Sequence, residues 1–257
     1  MLTPPEIARS LLAVGESKAR LPFGKMLLLA ILAGAYIALA GVGATAAAVT
    51  VESGSLAKLL SACVFPAGLS MVILAGSELF TGNCLMVMAL LERRITPAQL
   101  LRNWLTVYLG NAMGGAAVAA LAVYSHTASL FGDGLARSMV SIAESKAALG
   151  AGDAFLRGVL CNFLVCLAVW MAAASKRAEG KVIALFFPIL LFVLCGYEHC
   201  IANLYYLPAG AFAAAEYGME TTLTLAGCLK NLAAVTLGNL VGGAALGVGY
   251  RFAYLKE

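Results

Sequence analysis

"GSELFTGN" runs from Gly76 to Asn83 and "GYEHCIAN" from Gly196 to Asn203. The two align as G-x-E-x-x-x-x-N, and both lie within long apolar runs. A glycine, an acid and an amide thus recur where an uninterrupted hydrophobic segment would otherwise pass. The second copy carries His199 beside its acid; the first has Leu79 there. What such a pattern does depends on the solvent around it.

That solvent is lipid. Mean hydropathy is +0.92 and charged residues make up only 12% of the chain, a balance that water does not tolerate. Crossing about 30 Å of hydrocarbon takes about 20 apolar residues as a helix, whereas barrel strands read as alternations of about 10 residues. The apolar runs have helix length, so the chain reads as an all-α membrane protein. Six segments meet the requirement, at about 26–49, 60–91, 100–124, 154–174, 181–209 and 226–250.

The first 25 residues hold no apolar stretch ahead of a small-residue cleavage site, so no secretory signal is expected. They read as an amphipathic helix on the cytoplasmic membrane face, with Ile7, Leu11 and Leu12 on one stripe, followed by a channel domain over 26–257. Lys and Arg near segment ends set orientation. With a cytoplasmic amino terminus, twelve of them fall inside, including Arg9, Lys18, Lys25, Lys181 and Lys256; five fall outside, namely Lys58, Arg137, Lys146, Arg157 and Lys230. Both termini are therefore expected in the cytoplasm. The net charge of +4 is thus topological, and no nucleic-acid partner is read from it. The seven cysteines are odd in number, form no C-x-x-C pair and read as small hydrophobes.

A second duplication accompanies the first. "RNWLTVYLGNAMGG" (Arg102–Gly115) matches "KNLAAVTLGNLVGG" (Lys230–Gly243), 128 residues on, while the acid motifs are 120 residues apart. Each half, about 26–124 and 154–250, contributes three segments, and an odd number reverses orientation between copies. Two inverted repeats of three helices follow, a topology whose substrate sites fall at helices broken near the midplane. Segment two is about ten residues too long for one crossing, and segment five holds Pro188, Gly196 and Pro208. Both read as interrupted. A break in lipid survives only where its freed backbone groups find partners. Gly76 and Gly196 permit the bend, and Glu78, Glu198, Asn83 and Asn203 are candidates to bond those groups. Asn111 and Asn239 can bridge to the broken segments, and the glycines around them make small faces for close helix packing.

His199 has no twin, which suggests a task beyond support of the fold. Burial disfavours an imidazolium and equally a bare anion entering beside it. A weak-acid anion that picks up a proton avoids that penalty and crosses as the neutral acid. Lys146, in the loop 125–153, can draw anions to the mouth. Phe65, Leu69, Leu79 and Phe80 in the first half, with Phe187 and Phe192 in the second, are large apolar residues fit for a dry gate.

"GSELFTGN", "LGN" (109–111), "CNFLVCLAVWMA" (161–172), "GYEHCIAN", "LPAG" (207–210) and "VTLGN" (235–239) together resemble the formate/nitrite transporter family, which includes hydrosulfide channels. The resemblance implies a homopentamer of aquaporin-like protomers in a bacterial or archaeal plasma membrane, each with its own pore. It implies that Thr81 faces a central His199, preceded by Glu198, with Lys146 in the outer vestibule. Asn162 and Asn239 correspond to polar residues near the pore. Leu69, Leu79, Phe80 and Val165 match the cytoplasmic constriction, with Phe65 close to them, and Phe192 matches the outer one. Glu78 and Gly82 look more like nitrite and hydrosulfide members, and the proline of "LYYLPAG" more like formate members, so all three anions stay open.

Three other classes remain. A neutral-solute channel of the water or glycerol kind suits broken inverted repeats, but the paired N-P-A motifs are absent. An intramembrane enzyme would lean on Glu198 and His199; the chain has no H-E-x-x-H, and its other histidine is His126, whereas a catalytic zinc takes about three protein ligands. A plain scaffold gives no reason for a histidine at a break. The expectation is a non-enzymatic channel or proton-coupled transporter for small monovalent anions, with no cofactor.

Overall fold

The computed structural model describes residues 1–255; Lys256, counted above among the inner charges, lies outside the described residues. The helices in chain order are α1 Pro4–Ala19, α2 Phe23–Ala46, α3 Gly54–Val64, α4 Pro66–Ala75, α5 Phe80–Asn83, α6 Val87–Leu91, α7 Pro97–Tyr124, α8 Gly134–Ala148, α9 Ala151–Ala173, α10 Ala178–Leu194, α11 Cys200–Glu216 and α12 Leu225–Tyr254. No strand occurs among the described residues. By length and composition α2, the α3–α4 unit Gly54–Ala75, α7, α9 and α12 can each cross a membrane. The run 181–209 is divided between α10 and α11, each 17 residues long.

The end of α4 and the end of α10 are built alike. Gly76 has φ +79° and Gly196 φ +69°, left-handed values that glycine adopts without a Cβ penalty. Around each, the next residue donates back to the helix, Ser77 N to Val72 O at 2.9 Å and Tyr197 N to Phe192 O at 3.0 Å. This Schellman-type closure satisfies the last carbonyls and turns the chain out of the helix. Helix resumes at Phe80 and at Cys200.

Glycine also sets the spacing of the long helices. A Cβ on Gly114 of α7 would lie 2.0 Å from the Ile31 carbonyl oxygen of α2, and one on Gly242 of α12 would lie 2.0 Å from that of Val159 in α9. Both pairs pack backbone to backbone, as the small-residue faces led one to expect.

The amino-terminal helix α1 carries a Thr3–Glu6 capping box and buries Ile7, Ala8 and Leu12 against Leu85, Met86 and Met88, with Leu11 partly covered. It stops at Ala19, short of the 25 residues read as leader. Pro22 disfavours helix at Leu21, and α2 starts just beyond it at Phe23. The segment 125–153, read as a loop, is mostly the helix α8. Among the cysteines Cys84, Cys161, Cys166 and Cys200 are buried as expected of small hydrophobes, but Cys63 and Cys195 are exposed. Phe187 is 60% exposed on α10, so it forms no part of an inner gate.

Candidate functional site

His199 is the N-cap of α11. Its Nδ1 accepts the backbone N–H of Ala202 at 3.1 Å, which serves one of the amide donors a helix start leaves unpaired. A backbone N–H only donates, so Nδ1 is bare and the neutral ring carries its proton on Nε2. That nitrogen lies 3.0 Å from Thr81 Oγ1. Thr81 therefore accepts from the ring and keeps its own hydroxyl hydrogen to give elsewhere. Both residues are buried.

Three carboxamides hold this pair in place. Asn111 accepts from Phe80 N at 3.0 Å and donates to the carbonyls of Glu78 and Ala30, at 2.9 and 2.7 Å. Asn239 repeats the set on the other side, accepting from Cys200 N at 2.9 Å and donating to Glu198 and Gly158, at 2.9 and 2.8 Å. Asn162 donates to the carbonyls of Asn239 and Thr81, at 2.7 and 3.3 Å. Asn162 and Asn239 are fully buried, and their amide hydrogens all go to backbone carbonyls.

The acids do something else. Glu198 pairs with Lys146 at 2.9 Å and accepts from Asn203 at 2.7 Å; Asn203 also donates to Asn231 at 2.8 Å, and Asn231 returns to the Lys146 carbonyl at 2.9 Å. Glu78 pairs with Lys18 at 2.7 Å and accepts from Asn83 at 2.8 Å; Asn83 donates to Asn103 at 2.9 Å, and Asn103 points back to the Lys18 carbonyl at 3.5 Å. Side-chain circuits, not freed backbone, thus occupy Glu78, Glu198, Asn83 and Asn203. The backbone at the breaks is met by Asn111 and Asn239, and by bonds from Glu78 N to Leu29 O and Glu198 N to Arg157 O.

Lys18 was missed as a site residue, although the signal was there. "ARSLLAVGESKA" (8–19) and "ARSMVSIAESKA" (136–147) share A-R-S-x-x-x-x-x-E-S-K-A at the 128-residue spacing. By sequence α1 is the counterpart of α8, and Lys18 of Lys146.

Two cavities open on the breaks. One, of about 680 Å³, is lined by His199, Asn203, Glu198 and the cations Lys58, Arg137, Lys146 and Arg157. The other, of about 580 Å³, is lined by Asn83, Glu78 and the cations Lys18, Lys25 and Lys181. Among the described residues Glu198 and Glu78 are the one acid in each wall, and none lines both. Leu69 and Leu79 stand in the Lys18 cavity. Phe192 stands in the Lys146 cavity, stacked on the His199 ring with centroids 5.8 Å apart. Phe65, grouped from sequence with the Leu69 set, instead meets Phe192 edge-on at 5.7 Å and lines the Lys146 cavity. It sits one turn before Leu69, at the α3–α4 junction that Pro66 begins anew. Phe80, Val165 and Thr81 line neither cavity, and all three are buried.

The geometry is that of two cation-rich cavities and a buried, neutral Thr81–His199 pair among apolar residues. The model of the family described as "Formate/nitrite transporter" matches residues 5–253. A probable formate transporter of Methanothermobacter thermautotrophicus is 38% identical, over 99% of this chain and 98% of its own. Among solved structures, one titled "FNT family ion channel" superposes with TM-score 0.86 at 32% identity, covering 96% of this chain and 98% of that one. A second, titled "Pentameric formate channel with formate bound", gives 0.80 at 33% identity, covering 91% and 98%. These relatives are named as transporters or channels and not as enzymes. The chain belongs to the formate/nitrite transporter family of membrane proteins.

Proposed function

We propose that this protein conducts small monovalent weak-acid anions, formate, nitrite or hydrosulfide, together with a proton across the plasma membrane. One observation carries the reading: His199, in the wall of the Lys- and Arg-rich cavity, is hydrogen-bonded to the buried Thr81, whose chain neighbour Gly82 lines the second, Lys-rich cavity. In the family member solved with formate, the assembly is pentameric, and the same assembly is proposed here. The repeats are inverted and both termini cytoplasmic, so Lys146 faces outward, Lys18 inward, and α1 serves the inner mouth as α8 serves the outer.

An anion drawn into either mouth by the lysines loses water as it nears the apolar residues. A bare charge is penalised there, so it takes up a proton at the mouth and proceeds as the neutral acid. The Thr81 hydroxyl, free to donate, meets it at the centre. With Nδ1 held by Ala202, the ring acts in its neutral form, and an imidazolium forms only if the helix cap opens. Leu69, Leu79, Phe80 and Val165 make the inner constriction, and Phe192 with Phe65 the outer. Asn162 and Asn239 position Thr81 and the second break.

The test is flux of formate, nitrite and hydrosulfide, measured side by side in proteoliposomes from pH 5 to 8. Uptake of at least one anion that rises as pH falls is expected. Vesicles that swell in water or glycerol and move none of the three would overturn the reading.

A further inference from the structure

The Asn203 side chain is fully buried, and its Oδ1 has no hydrogen-bond partner. Its orientation is fixed by chemistry. Both amide hydrogens are given to groups that only accept, the Glu198 carboxylate and the Asn231 carbonyl oxygen, so a flipped amide would set oxygen against oxygen. Asn231 is itself oriented by its bond to the Lys146 carbonyl. The oxygen left over belongs to a residue in the wall of the Lys146 cavity, one turn past His199. Asn83 spends its hydrogens in the same way on Glu78 and Asn103, in the wall of the opposite cavity.

A buried acceptor without a donor is unfavourable, and native structures keep few of them. In an anion path it is also odd, because its lone pairs repel the anion. They attract one species on that path: the protonated acid, whose O–H needs an acceptor once water is gone. We propose that Asn203 Oδ1 is the acceptor for the acid's O–H group, and thus selects the neutral acid over its anion at the dry end of the mouth. The acid's other oxygen remains free to accept from Thr81. This deepens the function proposed above and rests on it.

The experiment compares two leucine variants in proteoliposomes carrying a trapped pH dye, after subtracting uptake by protein-free vesicles. Asn203→Leu and Asn231→Leu both break the Lys146–Glu198 circuit, but only the first removes the free acceptor. Formate uptake is split with valinomycin into a proton-accompanied electroneutral part and an electrogenic part. The expected result is an electroneutral flux about tenfold lower in Asn203→Leu than in Asn231→Leu, with the electrogenic part not lowered in proportion. Equal electroneutral flux in the two variants, or both parts falling together in Asn203→Leu, overturns the inference. Should Asn203→Leu lose its thermal transition, Asn203→Ala removes the oxygen without adding bulk, and the same comparison decides. Wild-type protein that moves formate in neither mode fails the proposed function itself, whereas wild-type flux with an unchanged Asn203→Leu fails only this step.

Discussion

Thr81 Oγ1 and His199 Nε2 meet at 3.0 Å although 118 residues separate them in sequence. Thr81 stands just inside, and His199 just before, a helix start that follows a left-handed glycine, and each start is tied by an asparagine from a long helix, Asn111 for Phe80 N and Asn239 for Cys200 N. The second start differs in having a side-chain cap. His199 supplies it, whereas Leu79 at the matching position supplies none.

Capping and donation are separable functions of His199. Asparagine is a good N-cap but offers no donor to Thr81 at the Nε2 position. His199→Asn is expected to unfold within about 0.5 kcal/mol of wild type, whereas His199→Phe loses the cap at about 1 kcal/mol. Formate flux should fall in both at every pH while its pH profile keeps its shape, because the proton is taken up at the mouth and the ring stays neutral. Thermal unfolding and uptake across pH check the two expectations, and wild-type flux in either variant would remove His199 from the path.

The two lysine circuits predict paired behaviour. The side chains are 23% and 15% exposed at Lys18 and Lys146, against 7% and 8% at their acids. Lys146→Met strands the Glu198 charge, and about 2–3 kcal/mol of stability should go, less than for a fully enclosed pair. Lys146→Met with Glu198→Gln should recover about half of that. The same holds for Lys18 with Glu78. In sided flux assays each lysine variant should raise the half-saturation concentration from its own mouth only; an effect on both mouths alike would mean the lysines serve stability alone.

Much of this was legible beforehand, for a physical reason: a glycine and an acid inside an apolar run are too unfavourable in lipid to be incidental. The motifs marked where α4 and α10 end and helix resumes at Phe80 and Cys200, and the lone histidine marked one partner of a buried hydrogen bond. Hydropathy hides Lys18. α1 is polar enough to pass for a surface helix, and only its residue-by-residue match to α8 betrays the lysine. Phe65, expected close to the Leu69 set, shares its apolar cluster, yet its ring also meets Phe192 and lines the Lys146 cavity, a packing choice that spacing does not reveal. The task of the acids was misread for a related reason. Which partner a buried carboxylate chooses depends on what the neighbouring helix brings within 3 Å, and spacing along one strand of sequence does not reveal it.

An exposed acid on α8 ties the segment before α12. Glu144 accepts from Thr222 N at 2.7 Å and from the hydroxyls of Thr221 and Thr222 at 2.9 and 3.1 Å. The Thr222 N–H, and then the Thr221 hydroxyl, hold its carboxyl below the ordinary 4.5. A depressed acid contributes its stabilisation above the ordinary value and loses it as pH falls through the lowered one. Amide exchange at Thr222, normalised for intrinsic rate, should therefore rise below about pH 4.5 in wild type. In Glu144→Gln it should be raised already at pH 7; protection that ignores both changes would dissolve the tether.

The closest packing should be the least forgiving. Gly114→Ala and Gly242→Ala each drive a Cβ toward a backbone carbonyl 2.0 Å away, and no side-chain rotation relieves it. Moving α2 from α7, or α9 from α12, would also pull on Asn111 and Asn239, whose bonds to the Ala30 and Gly158 carbonyls cross the same seams. A loss of about 3 kcal/mol is expected for either variant, and formate flux should fall with it as Phe80 and Cys200 lose their anchors. Gly249→Ala is the control. It lies in α12 with nothing within 4 Å of an added Cβ, so it should gain about 0.5–1 kcal/mol from helix propensity alone. Thermal unfolding of the three variants decides, and equal stability of Gly242→Ala and Gly249→Ala would show that the α9–α12 seam is not held at backbone contact.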